Sequence, residues 1–599
     1  MNSSNTLILY KARYSTILNN YLDKHIRTKR IIVDIDGNVT NRTNTQQIHN
    51  KYEHYLSEDN LLTIDKDAVF YAEHWLEIIP YDKNISKFAS FIAYNLKENL
   101  VLVLKHIWLI NKINPTEIVI HHENDLIYDT VNLFTQEKSI RLITLGKNES
   151  DGNRNDKQST LKKESYFKIV IKVLCEHLLS IANNFIFYFK NKTNHSNILL
   201  CPYLHTKQLL LQLLQNNNCN VTIFGFNYNL FKKHFGKIQI LYYRHARIDK
   251  QQIQDENIFA NPLKFNTKLL YNGINIELLL QVALSLKLKQ YGLQLCAFYY
   301  RYFQKIKRMH LDLIISNQDV ANEEKVLIRI GNDLNIKTMV VQHGAVFTPA
   351  FLIRPIANMF LFWDIATREY YIRNYRLDSS KTILVKSDYL LSLRNLKGSN
   401  YKNAKNYRQP RKNDIIKILF FAPAWSNHWA CYSPHEPNEI LWDVCSIIAS
   451  EPQAQCIVRF HPSTQIIEGT QIKNEILSSV GKGRCFIDKN IELIDSIVQS
   501  DFIIGVDSTA VYEAMFAGKT TIVYNPTGKD LCGCLAKTNA VKYCINKIDL
   551  HAAVKEFICE SNKDIYNKNI SNFIKANFVS TPSMYDVVTS VLGLSESVK

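Results

Sequence analysis

The chain has 599 residues, with 72 Lys and Arg against 55 Asp and Glu for a formal net charge of +17. At about 100–200 residues per domain this length predicts three or four domains, and 46% hydrophobic with 21% charged residues excludes a mainly disordered chain. With 18 glycines and 14 prolines, collagen-like, mucin-like and low-complexity classes are excluded as well.

Taken in chain order, Met1–Lys29 carries charges through its middle, so no secretory signal is predicted and a cytoplasmic protein is expected. Residues 1–190 read as an N-terminal α/β extension or extra domain of unknown role, on the strength of Arg30–Ile35 (RIIVDI) and a strand-helix-strand unit over Thr116–Gly146. The most apolar long stretch, Tyr166–Phe189, contains Lys168, Lys172 and Glu176, which predicts a helix of a soluble or peripheral protein and not a membrane span.

From residue 195 to 393, short apolar runs alternate with amphipathic segments, the signature of βαβ units around a parallel sheet. Strands are predicted at Asn197–Cys201, Asn220–Phe226, Leu311–Ser316, Lys337–Gln342, Asn358–Trp363 and Thr382–Lys386. Helices are predicted at Thr206–Gln215 and Asn322–Leu334, with one long helical stretch over Asn275–Met309. Residues 394–412 hold seven Lys and Arg and no acid, with Gly, Ser, Asn and Pro as breakers, and read as a basic linker. A second series fills 413–599: strands Ile415–Phe421, Gln455–Phe460, Asp501–Val506 and Thr520–Tyr524 alternate with helices at Asn438–Ser450, Ile491–Val498 and Ser508–Phe516, and C-terminal helices follow at Leu550–Ser561 and Ser583–Leu594. The predicted fold is α/β, two Rossmann-like domains facing a cleft.

Twelve cysteines without CxxC spacing read as reduced thiols, and the one tight pair, Cys532-Gly-Cys534, lacks a second Cys/His pair at zinc-finger spacing. Asp34-Ile35-Asp36, before Gly37, has the carboxylates to hold a divalent cation, but it lies outside both Rossmann-like domains and is taken as a polar turn. GxGxxG after a first strand, GxxxxGK[ST], HExxH and GxSxG are all missing. No metal or cofactor is therefore expected.

Parallel sheets bind ligands at the carboxyl ends of their strands, and four such places stand out. At Gln342-His343-Gly344 an imidazole beside a glycine suits a general base at neutral pH. At Arg459-Phe460-His461-Pro462-Ser463 an Arg and a His are placed to neutralise phosphate. At Gly505-Val506-Asp507-Ser508-Thr509 a strand turns directly into a helix, whose unpaired N–H groups, dipole and hydroxyls suit an anion, with Glu513 within reach of a ribose. The loop around Trp425, Ser426 and His428 suits stacking on a base or sugar. Each has a plain alternative: a histidine bonded to its own loop, a solvated turn, ordinary helix N-caps, and packing between domains.

In order and spacing these motifs resemble a family. The run LDLIISNQDVANEEKVLIRIGNDLNIKTMVVQHG, then FLFWDIATREYY, IVRFHPST and DFIIGVDSTAVYEAMFAGKTTIVYNP resembles bacterial surface-polysaccharide (capsule and lipopolysaccharide) glycosyltransferases of the GT-B fold. It is similar to the superfamily of CDP-glycerol glycerophosphotransferases and of Kdo-, sialyl- and polysialyl-transferases, over about residues 195–595. The resemblance implies donor-phosphate contacts from His461, Ser508 and Thr509, and a base or acceptor-side role for His343. Two departures stand out: Gln342 replaces the Trp that often precedes His-Gly, and Lys386-Ser387-Asp388 replaces the usual Gly-Ser or Gly-Asn.

Motifs and resemblance together point to a glycosyltransferase moving a sugar from a nucleotide donor, CMP- or CDP-linked before UDP or GDP, to a glycan or lipid-linked acceptor. The donor phosphate is expected on Arg459, His461, Ser508 and Thr509, with Glu513 at the ribose and His343 at the acceptor. Polyol-phosphate transfer, nucleotide-sugar 2-epimerisation and non-catalytic glycan binding are the alternatives. The positive charge then reads as attraction to anionic substrates and to an anionic membrane surface; no recognition motif supports nucleic acid.

Overall fold

The structure is a computed structural model that describes residues 5–10, 29–34, 49–50, 56–78, 83–121, 126–145, 184, 195–202, 205–225, 237–241, 270–287, 293–318, 322–344, 355–374, 376–394, 415–423, 436–460, 476–488, 492–506, 508–526, 535, 538–559, 563–578 and 581–594. The described strands form three parallel sheets and one antiparallel hairpin.

The first unit comprises β1 (Asn5–Tyr10), β2 (Lys29–Asp34), β3 (His49–Asn50), helices α1 (Glu58–Ile78) and α2 (Lys83–Ile113), β4 (Glu117–His121), α3 (Leu126–Lys138) and β5 (Arg141–Leu145), with the sheet ordered β3-β2-β1-β4-β5. The second begins with β6 (Ser196–Leu200), α4 (Lys207–Gln215), β7 (Cys219–Phe224) and β8 (Gln239–Leu241). After the hairpin β9 (Leu270–Tyr271) and β10 (Ile274–Asn275) come α5 (Glu277–Lys287), α6 (Leu293–Arg308), β11 (Leu313–Ser316), α7 (Asn322–Asp333), β12 (Lys337–Val341), β13 (Met359–Phe362), α8 (Ile365–Asn374), β14 (Thr382–Leu384) and α9 (Asp388–Leu393). Its sheet runs β14-β13-β12-β11-β6-β7-β8. The third unit holds β15 (Ile416–Ala422), α10 (Glu436–Ser450), β16 (Ala454–Phe460), β17 (Cys485–Ile487), α11 (Leu493–Gln499), β18 (Phe502–Gly505), α12 (Thr509–Phe516), β19 (Thr520–Tyr524), β20 (Lys542–Cys544), α13 (Lys547–Ile558), α14 (Lys563–Phe578) and α15 (Met584–Val591). Its sheet is ordered β17-β16-β15-β18-β19-β20.

Counted from its own first strand, each sheet reads 3-2-1-4-5, the Rossmann order, extended by one strand in the third unit and by two in the second. The crevice of such a sheet opens where the order reverses, between its first and fourth strands. That is between β6 and β11 in the second unit and between β15 and β18 in the third. The expected pair of Rossmann-like domains, the GT-B layout, is therefore present. The strands are apolar on both faces because helices cover both: β11, β15 and β19 are buried almost throughout.

Three features differ from the sequence reading. The helix expected over Asn275–Met309 is two helices belonging to two cores. Asn272 and Gly273, both at positive φ (48° and 77°), make the tight turn of the β9–β10 hairpin, and Asn275 Oδ1 accepts the Glu277 N–H at the start of α5. Tyr271, Ile274, Leu280 and Leu284 pack into the core of the first unit, whereas Phe298, Tyr302 and Ile306 of α6 pack on the second. The first unit is docked as well as folded, since α2 also touches α6 and α7.

The second difference lies at the C-terminal end. Helix α15, expected with the third unit, packs on α4 of the second. Tyr585 Oη accepts from Asn216 Nδ2 at 2.9 Å, Lys337 Nζ reaches the Val591 carbonyl at 2.7 Å, and a Ser583–Asp586 capping box fixes the start of the helix. The third difference is a group of elements absent from the sequence reading: β1, β3, β8, β17, β20 and the helices α1, α2, α9 and α14. The basic linker beyond Arg394, the Asp36 end of the DxD triplet, Cys532, Cys534 and nearly all of Tyr166–Phe189 lie outside the described residues. Among the described residues no helix is long and apolar enough to cross a membrane.

Candidate functional site

The site is built from strand ends. At the end of β18, Gly505 lets α12 come down close on the sheet, because a Cβ there would lie 2.5 Å from Val511 Cγ2. The chain then turns into α12 with Ser508 as N-cap, its Oγ accepting the Ala510 N–H at 3.2 Å. That bond uses an oxygen lone pair and leaves the hydroxyl proton to donate.

Across the cleft, β12 ends at Val341 and the next three residues form the Gln342-His343-Gly344 loop. Gln342 is buried and holds this loop rigid: its Oε1 accepts the backbone N–H groups of Trp363 and Asp364 at 3.0 and 3.2 Å, and its Nε2 donates to the Gly344 carbonyl at 3.0 Å. Trp363 Nε1 returns a bond to the Gln342 carbonyl at 3.1 Å. His343 is exposed, with its Nδ1 3.3 Å from Asn317 Nδ2 at the end of β11. Gly344 faces the other domain so closely that a Cβ on it would meet Thr509 Oγ1 at 2.7 Å. The motif expected at the acceptor and the motif expected at the donor phosphate are thus brought together.

Beneath the loop lies a histidine that the sequence reading missed. His205, just beyond β6, is buried, stacks on Trp363 with ring centroids 5.1 Å apart, meets Tyr389 edge-on, and has Nδ1 3.1 Å from Ser387 Oγ. Burial, together with the charge of His343, holds its imidazole down to about 3, so it is neutral at physiological pH. Ser387 also caps α9 by accepting the Leu390 N–H, and Lys386 N–H binds the Pro582 carbonyl. The Lys386-Ser387-Asp388 departure therefore makes the seam between the second unit and the returning C-terminal segment. A strand-end signal for His205 exists in CPYLHT, directly after an apolar strand.

Glu513, about one turn into α12, is also buried. Burial pushes its carboxyl up to about 7, opposed by a hydrogen bond from the Tyr389 hydroxyl and by the charge of Arg459. Arg459 itself, near the end of β16, gives Nη1 to Asp488 Oδ2 at 2.7 Å and lies 3.4 Å from Ser496 Oγ. Arg459, expected at the donor phosphate, thus also pairs with Asp488, a carboxylate outside the motifs singled out in the sequence. His461, Trp425, His428 and Asp507 lie outside the described residues.

No family model matches the chain, and a search of curated proteins finds no similar sequence. Solved structures do resemble it in fold. A glycosyltransferase of Rickettsia africae is 11% identical, with a TM-score of 0.41 over 67% of this chain and 99% of its own. HepE of Anabaena, in complex with UDP and glucose, is 12% identical, with 0.42 over 67% and 99%. The wall teichoic acid polymerase TagF is 10% identical, with 0.35 over 72% and 97%. At these scores the likenesses say nothing of this chain's donor or acceptor.

The chemistry must therefore come from the chain's own residues. A helix start with a free hydroxyl proton offers an anion site. The opposite wall offers an exposed imidazole above a buried neutral one. Among the described residues no group of three or more His, Cys, Asp or Glu converges as metal ligands.

Proposed function

We propose that the protein is a glycosyltransferase that moves a sugar from a nucleotide donor to an acceptor hydroxyl in the cleft between its second and third units. The observation that carries this reading is the meeting of the His343-Gly344 loop with Ser508-Thr509 at the open ends of two Rossmann sheets. The donor diphosphate or monophosphate lies on the first turn of α12, bound by its backbone N–H groups and by the Ser508 and Thr509 hydroxyls, and the resemblance of the His-Pro motif adds His461 as a phosphate contact. No metal ion is required for this binding. Glu513 and Arg459 support that wall from below.

His343 serves the acceptor. Its Nε2 takes the proton of the attacking hydroxyl as the new bond to the sugar carbon forms; the old carbon–oxygen bond breaks, and its electron pair leaves with the nucleotide phosphate. The acceptor is a growing surface glycan, and CMP or CDP is the favoured nucleotide, by the resemblance of the His-Pro and Ser-Thr motifs. The charge of +17 and the run Arg394–Lys412 favour attachment to anionic lipid.

Calorimetric titration with CMP, CDP and UDP, followed by nucleotide release from a panel of their sugars, tests the reading. Ser508→Ala and His461→Ala are expected to abolish nucleotide binding in a folded protein. Unchanged affinity in both variants overturns the assignment.

A further inference from the structure

His343 needs a defined tautomer to act as a base through Nε2: the neutral ring must carry its proton on Nδ1. Asn317 stands at that atom. It follows β11 directly, the strand bordering the crevice of the second unit, and its carboxamide nitrogen is 3.3 Å from His343 Nδ1. Its other atom, Oδ1, is buried with no hydrogen-bond partner among the described residues. A carboxamide turned over about its last bond exchanges acceptor and donor with almost no change of shape.

We propose that Asn317 is the positioning residue of His343: turned over, its Oδ1 accepts the Nδ1–H, so that the ring proton sits on Nδ1 and Nε2 is the basic nitrogen for the acceptor hydroxyl. This rests on the proposed transfer for the use made of the proton, but the pairing itself needs no substrate. The titratable neighbour on the far side of β11 is His205, beyond β6, which is neutral and places no second cation beside the ring. Thr509, close to Gly344 across the cleft, brings no charge. A neutral carboxamide fixes the ring without the strong increase in basicity that a carboxylate gives.

Histidine-selective 15N labelling of the full chain, with His343→Gln to assign the signal, reads tautomer and titration midpoint with no donor present. In the wild type the neutral His343 ring is expected as the Nδ1–H form. Asn317→Asp keeps that form and raises the midpoint by about 1–3 pH units, since an opposite charge within about 4–6 Å favours the protonated ring. Asn317→Ala releases the preference, and the Nε2–H form takes over. A wild-type ring in the Nε2–H form, or a tautomer and midpoint unmoved by both substitutions in folded protein, overturns the proposal. Failure to bind any nucleotide sinks the transferase reading and leaves these spectra to decide the pairing on their own.

Discussion

The two walls of the cleft are made from the same sheet topology, yet they present opposite chemistry. The wall of the third unit, at the end of β18, offers a helix start, two hydroxyls and backbone N–H groups. The wall of the second, at the ends of β6, β11 and β12, offers His205, Asn317 and His343. In the proposed reaction, anion binding needs fixed donors that cost no reorganisation, whereas proton transfer falls to the His343 imidazole alone, since His205 is held neutral and Asn317 carries no charge. One topology supplies both because the loops, and not the strands, carry the chemistry.

The largest expected effect separates these roles. His343→Ala should lower turnover by about 10²–10⁴-fold, the usual share of a general base, while nucleotide affinity measured by calorimetry stays the same. A parallel loss of affinity would break the division of labour. Next comes Glu513, whose carboxyl stands at about 7 in the folded chain, above its ordinary value of 4.5. The native state therefore holds the extra proton between those values, and stability falls as pH rises from about 4.5 to 7. Glu513→Gln removes that slope, so its stability relative to wild type should rise by up to about 3 kcal/mol across the window, read by urea denaturation at pH 5 and pH 8.

A smaller effect is expected beneath the phosphate wall. Gly505→Ala drives a methyl into Val511 and lifts α12, costing about 1–3 kcal/mol, with a loss of nucleotide affinity measurable by the same titration. The smallest structural effect is Ser508→Ala, which removes an N-cap at about 1 kcal/mol. Its thermal shift should be slight beside its effect on binding. If stability and binding fall together in proportion, Ser508 is a cap and no more.

Much of this was legible in the residues because buried parallel strands leave continuous apolar runs: Lys337–Val341, Thr520–Tyr524 and their neighbours lie within a residue or two of their predicted bounds. The short edge strands β17 and β20 were not, since three residues with a half-exposed face leave no run to see. The hairpin at Asn272-Gly273 had a turn signal that the helical pattern after it concealed. In the site, His343 and Ser508 follow apolar strands directly. The partners of His343, His205, Glu513 and Arg459, which are Asn317, Ser387, Tyr389 and Asp488 in that order, are ordinary polar residues whose meaning comes from neighbours distant in sequence.

The return of α15 to α4 has a consequence for biosynthesis. The second unit lacks one packing partner, and the first unit lacks its hairpin and α5, until much later stretches of chain have left the ribosome. The packing of each unit is thus completed out of translation order, and long-range closure of this kind slows folding. A nascent chain halted after Phe578 would expose the face of α4 that Met584–Val591 covers.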